Sequence, residues 1–453
     1  MKRRNNRVLA LGAVCTTVVL LTSGCLNSGD DEGDGGNGGE SSSSVDGGTD
    51  DGDKVVEVIG AFGGVEAESF EKEIKAFEDE SGIDIQYTGT QDFQTIITSK
   101  VRAGDTPDIG LFAQPGTLVD LADDGDVAAV EDYLDLPALE ETLIPGLLDA
   151  GSTEDGTAYG APMRVAVKSL VFVPKEAYSA GGYSTEPATI QELEGIADEI
   201  KSSGTAPWCI GYESDAATGW VGTDWIEEFM LRLHGPEVYD QWVSHEIPFD
   251  DPKVQEAFDA YGEIVKTEGN VRGGSAAVVN TPFAEAGNPA FEDPPKCMLH
   301  RQGNFVTGFF PDDVQSNLDD AVEVFYFPAY EGGYDGNPVL GGGDLAATFN
   351  PGDEDTVAVM EYLTGEDFGK SWAADGGWLS PHSTFDSSLY PDEITRKVGE
   401  IAANADVFRF DGSDLMPVDV GGGTFWTGMV EWTTGDKSTA EVTEEIEASW
   451  PSS

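Results

Sequence analysis

Val55-Val56-Glu57-Val58-Ile59, then Phe70, Ile74 and Phe77, then Ile83, Ile85 and Tyr87: apolar residues recur at alternate positions, next at i, i+4 and i+7, then at alternate positions again. The outer two patterns predict strands and the middle one a helix with a single apolar stripe. Gly82 stops that helix before the second strand. Phe93, Ile96, Ile97 and Val101 repeat the helical stripe, and Pro107-Asp108 precede a third strand over Ile109 to Ala113. This alternation predicts an α/β fold with a doubly wound, parallel sheet. Ligands of such sheets bind beyond the carboxyl ends of the strands. Those ends read Phe62-Gly63-Gly64-Val65-Glu66, Gly89-Thr90-Gln91-Asp92 and Gln114-Pro115-Gly116, small and polar in all three cases.

Working outward, the chain is strongly acidic, with 85 Asp and Glu against 24 Lys and Arg. Acid on this scale repels phosphate backbones, so nucleic acid and strongly anionic ligands are poor partners. The acid is spread along the whole body, as befits a saline habitat, because the Debye length falls to ~3 Å at 1 M salt. The melting temperature is therefore expected to climb steeply between low and molar salt in a thermal scan. A flat response would remove the halophilic reading. The body from Lys54 onward exceeds the ~250–300 residues at which a single core stops growing, so two lobes are expected.

The amino terminus addresses the chain. Lys2, Arg3, Arg4 and Arg7 precede an apolar run from Val8 to Leu21, and Thr22-Ser23-Gly24 lead into Cys25. That run is too short to span ~30 Å of hydrocarbon, so a cleaved export signal over residues 1–24 is expected. The stretch resembles a lipobox, which implies lipidation at Cys25; Thr22 departs from the leucine that pattern prefers. From Leu26 to Asp53 the chain is almost wholly Gly, Ser, Asp, Asn and Glu. It reads as a disordered acidic tether with a root-mean-square reach of roughly 30 Å. After Leu21 no apolar run long enough for a membrane span recurs. The body has two cysteines, Cys209 and Cys297. Outside the cytoplasm such a pair is usually bridged, the alternative being two free buried thiols.

No enzyme motif stands out. Carboxylate pairs suited to glycoside hydrolysis cannot be singled out among so many acids. No nucleophile elbow of the Gly-x-Ser-x-Gly type occurs, and His234, His245, His300 and His382 lack metal-ligand spacing. Gly421-Gly422-Gly423 lacks the lysine of a phosphate-binding loop. Three tryptophans stand beside glycine or threonine in predicted loops: Trp220, Trp378 and Trp426. Rings so placed suit the walls of a cleft, whereas Trp225 and Trp372 fall inside helical stripes and belong to the core.

Several stretches carry a family resemblance. They are Gly82-Ile83-Asp84-Ile85, Pro107-Asp108-Ile109, Tyr159-Gly160-Ala161-Pro162, Ser169 to Pro174 and Trp372 to Pro381, and, more narrowly, Trp208-Cys209-Ile210, Ala217-Thr218-Gly219-Trp220 with Thr223-Asp224-Trp225, Cys297 to Asn304, Gly341 to Leu345 and Phe410 to Pro417. In these the chain resembles the extracellular solute-binding proteins of carbohydrate ABC importers, close to the α-glucoside group of maltose and trehalose binders. The resemblance implies a two-lobed periplasmic-binding-protein fold with the sugar in an interlobe cleft. Residues 54–163 plus 322–375 would form the amino-terminal lobe and 164–321 plus 376–453 the other, with strands crossing near residues 161–167, 317–325 and 374–380. It also implies a lipid-anchored monomer on the outer face of the membrane that serves permease subunits, with no cofactor and no catalysis. The rival classes are a secreted carbohydrate hydrolase and a sensory or adhesion lipoprotein.

A sugar needs planar hydrogen-bonding groups for its hydroxyl edges and aromatic rings for its faces. For the edges the expected residues are Glu66, Gln91, Asp92, Gln114, Arg164, Arg301, Asp344 and Asp411. Gly343 is expected to bring backbone to the ligand before Asp344. For the faces the expected residues are Trp220, Trp378 and Trp426.

Overall fold

Described in the computed structural model are residues 54–451, apart from Pro145 and Glu154. The signal, Cys25 and the tether read from the sequence lie outside them. Among the described residues no helix is long and apolar enough to cross a membrane.

The opening pattern folds as its periodicity dictates. Strand β1 (Val55–Gly60) pairs in parallel with both β2 (Asp84–Gly89) and β3 (Ile109–Phe112). Helix α1 (Gly64–Ser81) is the first crossover and buries Phe70 and Ile74. It ends at Gly82, whose φ of 75° places it in the left-handed region and whose amide donates to the Glu78 carbonyl. Helix α2 (Phe93–Ala103) is the second crossover, burying Phe93, Ile97 and Val101. Helix α3 (Pro115–Asp123) follows β3, with proline in its first turn where no amide is missed.

The rest of this sheet departs from the parallel expectation. Its order is β10-β9-β3-β1-β2, with β4 (Ala161–Val167) also on β9 (Pro338–Thr348). Strand β9 runs antiparallel to both β3 and β4, and β10 (Val407–Phe410) runs parallel to β9. The sheet is mixed because β9 enters it after an excursion through a second sheet and so meets β3 from the opposite direction. Gly341 and Gly343 make that central position possible. A Cβ on Gly341 would stand 2.0 Å from the Phe408 ring, and one on Gly343 2.2 Å from the Arg164 carbonyl oxygen.

The second sheet has the order β6-β7-β5-β8, formed by β5 (Leu170–Pro174), β6 (Ala206–Trp208), β7 (Cys297–Arg301) and β8 (Val322–Tyr326). The chain passes into it through Lys168 and Ser169, and leaves it between β8 and β9. Both passages are tied together. The Lys168 amide donates to the Leu340 carbonyl at 2.8 Å, and the Leu340 amide to Ser169 Oγ at 2.8 Å. Arg232 donates from its guanidinium to the carbonyls of Phe327, Pro328 and Pro338, clamping both ends of the return passage. It sits on helix α4 (Trp220–His234), which is buried along most of its length. Farther along lie helices α5 (Lys370–Asp375) and α6 (Trp426–Thr434).

Cys209 and Cys297 form a disulfide across 88 residues of sequence, which closes the alternative of two free thiols. Closing a loop of that length stabilises by ~4–5 kcal/mol in the chain-entropy model. Reduction is expected to lower the calorimetric melting temperature by several degrees. Peptide mapping without reductant should find both cysteines unlabelled by a thiol reagent; labelling of either in the native protein would contradict the bridge.

Candidate functional site

Where the carboxyl ends of β1 to β3 face the first turn of α4, a cleft of about 780 Å³ opens. The strand ends contribute Phe62 and Glu66, Gln91, and Gln114; β4 contributes Arg164 and, just beyond it, Lys168; β9 contributes Gly342, Gly343 and Asp344. The opposite wall carries Trp220, Phe283, Phe305, Asp411, Asp414 and Trp426.

Two ion-paired groups set its electrostatics. The Arg164 guanidinium donates to Glu66 Oε1 through Nη1 and to Asp344 Oδ2 through Nε, both at 2.5 Å. Its carbon centre lies 5.1 Å from the ring centroids of both Phe62 and Trp372. The guanidinium therefore rests against a neighbouring pair of rings, whose centroids are 5.5 Å apart. The second group centres on the Lys168 ammonium, which contacts Asp411 and lies 2.9 Å from Asp224 Oδ1. It also stands 5.3 Å from the Trp220 ring centroid. Burial alone would drive the ammonium toward neutrality, but Asp224, Asp411, Asp414 and Glu227 outweigh it and raise its pKa well above the ordinary lysine value. Lys168 is thus a fixed cation and not a base. Burial pushes Asp224 up to about 7 despite Lys168. Burial also pulls Asp411 upward, yet Lys168 and hydrogen bonds, including one from Ser413, bring its carboxyl below the usual range.

On residues lining the cleft, two buried polar atoms have no hydrogen-bond partner among the described residues, Asp344 Oδ1 and the Trp426 indole N–H; atoms away from the cleft, such as Trp225 Nε1 and Trp242 Nε1, share that state. An acceptor and a donor left over on residues that line a cleft are groups a polar ligand would satisfy. Asp224, Glu227 and Asp411 have oxygens within 4.8 Å of one another, a spacing a metal ion accepts. Lys168 already sits against two of the three and supplies the cation there.

The tryptophan pair depends on one glycine. Gly219 has φ of 123°, and a Cβ there would meet the Trp426 carbonyl oxygen at 2.2 Å. Only with glycine can the starts of α4 and α6 approach so closely. Trp220 and Trp426 both open helices, not loops as their neighbours predicted, and residues 420–425 before Trp426 form a π-helical turn. Trp220 donates its indole N–H to Ser214 Oγ at 3.0 Å and packs edge-to-face on Phe283, with 70° between the ring planes.

Of the residues expected from sequence, Glu66, Gln91, Gln114, Arg164, Trp220, Gly343, Asp344, Asp411 and Trp426 come together in this cleft. Three fall elsewhere. Asp92 is exposed at the start of α2, one position past Gln91 and on the outer side of the turn. Arg301 is 2 % exposed behind the wall, where Glu228 at 2.8 Å and Asp224 at 3.4 Å neutralise it. Trp378 is 1 % exposed and packs against Phe368 and Phe385. The preceding Gly376 and Gly377, both at positive φ, form the turn that leads its ring into the core. Sequence reasoning missed Lys168, Asp414, Phe283 and Phe305. A single lysine between the apolar strands β4 and β5 was a usable signal for the first; nothing in the pattern distinguishes the two phenylalanines.

Comparison with known proteins gives the geometry a context. The profile of a family described as bacterial extracellular solute-binding proteins matches residues 63–370. The chain is 41 % identical to the osmoprotective compounds-binding protein GgtB of Synechocystis over 89 % of this chain and 94 % of that one. It is 36 % identical to the alpha-glucosides-binding periplasmic protein AglE of Rhizobium meliloti, over 88 % and 87 %. Among solved structures, a chitin oligosaccharide binding protein superposes with a TM-score of 0.75 at 17 % identity, covering 87 % of this chain and 97 % of that one. Maltose-bound MalE3 of T. maritima superposes with a TM-score of 0.67 at 14 % identity, over 87 % and 98 %. At these identities the structural likenesses speak for the fold alone.

Proposed function

The chain belongs to the family of bacterial extracellular solute-binding proteins, and we propose that it captures an uncharged saccharide, an α-glucoside, and delivers it to the membrane permease of an ABC importer. The observation that carries this reading is the pair of unpartnered polar atoms, Asp344 Oδ1 and Trp426 Nε1, on a cleft walled by aromatic rings. One accepts from a hydroxyl and the other donates to one, while Trp220, Trp426 and Phe305 offer faces to the apolar sides of a sugar ring. The cations Arg164 and Lys168 are neutralised by acids, so the cleft does not select an anion. The α-glucoside assignment draws on the relative AglE; GgtB points to osmoprotective compounds as the neighbouring specificity.

The proposed lobes are 54–163 with 322–375 and 164–321 with 376–453, except that β8 (Val322–Tyr326) lies in the second sheet and β10 (Val407–Phe410) in the first, so each of these strands goes with the other lobe. Sugar would bind an open form on one lobe, and contacts from the other would then favour the closed form that a permease recognises. Export, lipidation at Cys25 and a tether through residue 53 would hold a monomer at the outer face of the membrane. No cofactor and no bond cleavage enter this scheme.

Titration calorimetry with glucose, maltose, trehalose and sucrose, followed by chromatography of the sugars, tests it. Saturable one-to-one binding with every sugar recovered intact is expected. Absence of heat with all of them would remove the saccharide assignment, and hydrolysis products would make the protein an enzyme.

A further inference from the structure

Behind the wall that carries Trp220, five buried carboxylates share three buried cations: Asp224, Glu227, Glu228, Asp411 and Asp414 against Lys168, Arg232 and Arg301. A buried charge without a partner is costly, so the surplus acids are neutralised in place. The ion pairs show which acids those are. Lys168 contacts Asp224 and Asp411, Arg301 contacts Asp224 and Glu228, and Arg232 contacts Glu228, which leaves Glu227 and Asp414 in no ion pair among the described residues. Asp414 borders the cleft and has Gln114 as a hydrogen-bond partner. Glu227 is fully buried, and its Oε2 has no partner among the described residues. We propose that Glu227 is a neutral carboxylic acid in the folded protein and a positioning residue for the ligand cleft. The positioning role rests on the saccharide reading; the proton does not.

Glu227 stands on α4 one turn beyond Thr223, and both brace the turn that follows β10. Glu227 Oε1 accepts from the Ser413 amide at 2.9 Å, and Thr223 Oγ1 lies 3.0 Å from Ser413 Oγ. That hydroxyl donates to Asp411 Oδ1 at 2.8 Å. Asp411 holds Lys168, and the ammonium lies 5.3 Å from the Trp220 ring centroid. Contacts thus run from Glu227, which does not line the cleft, to Asp411, Lys168 and Trp220, which do. One oxygen of Glu227 lies within 4.8 Å of an oxygen of Asp224 and of Asp411. An ionised Glu227 would face both like charges in a dry setting. A proton on Oε2 removes that repulsion and makes a donor of an oxygen that has nothing to accept. Burial, then Asp411 and Asp224, raise the Glu227 pKa well above the ordinary glutamate value, against the pull of Lys168 and the Ser413 amide. The other groups around it are Glu228 on α4, Arg301 on β7, Asp414, and Tyr239 of the helix Pro236–Val243, whose hydroxyl donates to the Phe410 carbonyl and adds no charge.

Glu227→Gln copies the neutral acid, with the amide oxygen accepting from Ser413 and the amide nitrogen in place of the protonated oxygen. In the unfolded chain Glu227 loses its proton near the ordinary pKa of 4.5, whereas the folded protein keeps it. Above that pH the folded state binds the extra proton, so wild-type stability falls with rising pH relative to the variant. Urea unfolding of both proteins from pH 5.5 to 7, at one fixed molar salt concentration, should show the wild-type folding constant dropping about tenfold per pH unit against that of Glu227→Gln. A ratio that stays constant would make Glu227 ionised and overturn the proposal. Infrared spectra give a reading that does not depend on the variant's stability. The wild type at pH 7 should show the C=O stretch of a protonated carboxyl, and its absence would equally overturn the proposal. Positioning is read by calorimetry with maltose, trehalose and sucrose. Glu227→Gln should bind the tightest of them within about twofold of the wild type. Glu227→Leu, which fills the space but holds neither Ser413 nor a proton, should bind it tenfold or more weaker. Unchanged affinity in the leucine variant would overturn the positioning role. If the wild type binds none of these sugars, the proposed function fails and the positioning role with it, while the unfolding curves still decide the proton.

Discussion

Asp344→Ala is expected to weaken saccharide binding by roughly 10- to 150-fold. The residue is 1 % exposed, its Oδ2 is held by Arg164 at 2.5 Å, and its Oδ1 is unpartnered at the cleft. A hydrogen bond to a charged group contributes about 1.5–3 kcal/mol, and each 1.4 kcal/mol is a factor of ten in affinity. Arg164 keeps Glu66 as a partner in the variant, so the fold should survive. Calorimetry with the tightest saccharide of the panel gives the number, and thermal unfolding separates affinity from stability. Asp344→Asn, which keeps the shape and one acceptor, should fall between the two. A variant with a lowered melting temperature and unchanged affinity would make Asp344 a structural partner of Arg164 and nothing more.

Lys168→Met is expected to act on stability instead, by about 3–5 kcal/mol at pH 8, because breaking a buried ion pair strands its partner's charge. Here two carboxylates lose Lys168: Asp411, 2 % exposed, and Asp224, fully buried, which keeps only Arg301 at 3.4 Å. The pH dependence carries the signature. In the wild type, Asp411 titrates below the usual range, so its contribution is present above the unfolded pKa and is lost as pH falls through the folded one. In the variant, burial acts without Lys168, the carboxyl pKa rises above its unfolded value, and protonation on acidification relieves the cost. The gap between wild type and variant in urea unfolding should therefore narrow from pH 8 to pH 5. A gap that is constant over that range would show that the lost methylene packing, not charge, sets the cost.

These two residues also show what a sequence discloses. Asp344 was legible because it follows three glycines, and three glycines in a row need a reason. The reason differs from the one the pattern suggested. Gly341 and Gly343 admit Phe408 and the β4 backbone against a central strand, and Gly342 and Gly343 border the cleft as a consequence. Lys168 was legible only in part: a lone lysine between two apolar strands stands out, but its role depends on Asp224 and Asp411 arriving from 56 and 243 residues away. Arg301 shows the converse. A scarce arginine in an acidic chain suggests a ligand contact, yet buried carboxylates on α4 claim it first. Trp378 and Trp426 both follow glycine runs, and only the turn geometry sends one ring into the core and the other to the cleft. The periodicity of Val55 to Ala113 was enough for β1 to β3 and their crossovers. The antiparallel entry of β9 was not, since strand direction follows from where the chain has been between strands and not from the strand's own residues.

The central claim is that an intact saccharide lies between Arg164 with Asp344 on one side and Trp220 with Trp426 on the other. A crystal structure with the tightest-binding α-glucoside tests it most directly. The account predicts an uncleaved sugar in that cleft, with a hydroxyl donating to Asp344 Oδ1 and another oxygen accepting from Trp426 Nε1. Sugar bound elsewhere on the molecule, or a cleaved sugar in the cleft, would contradict it.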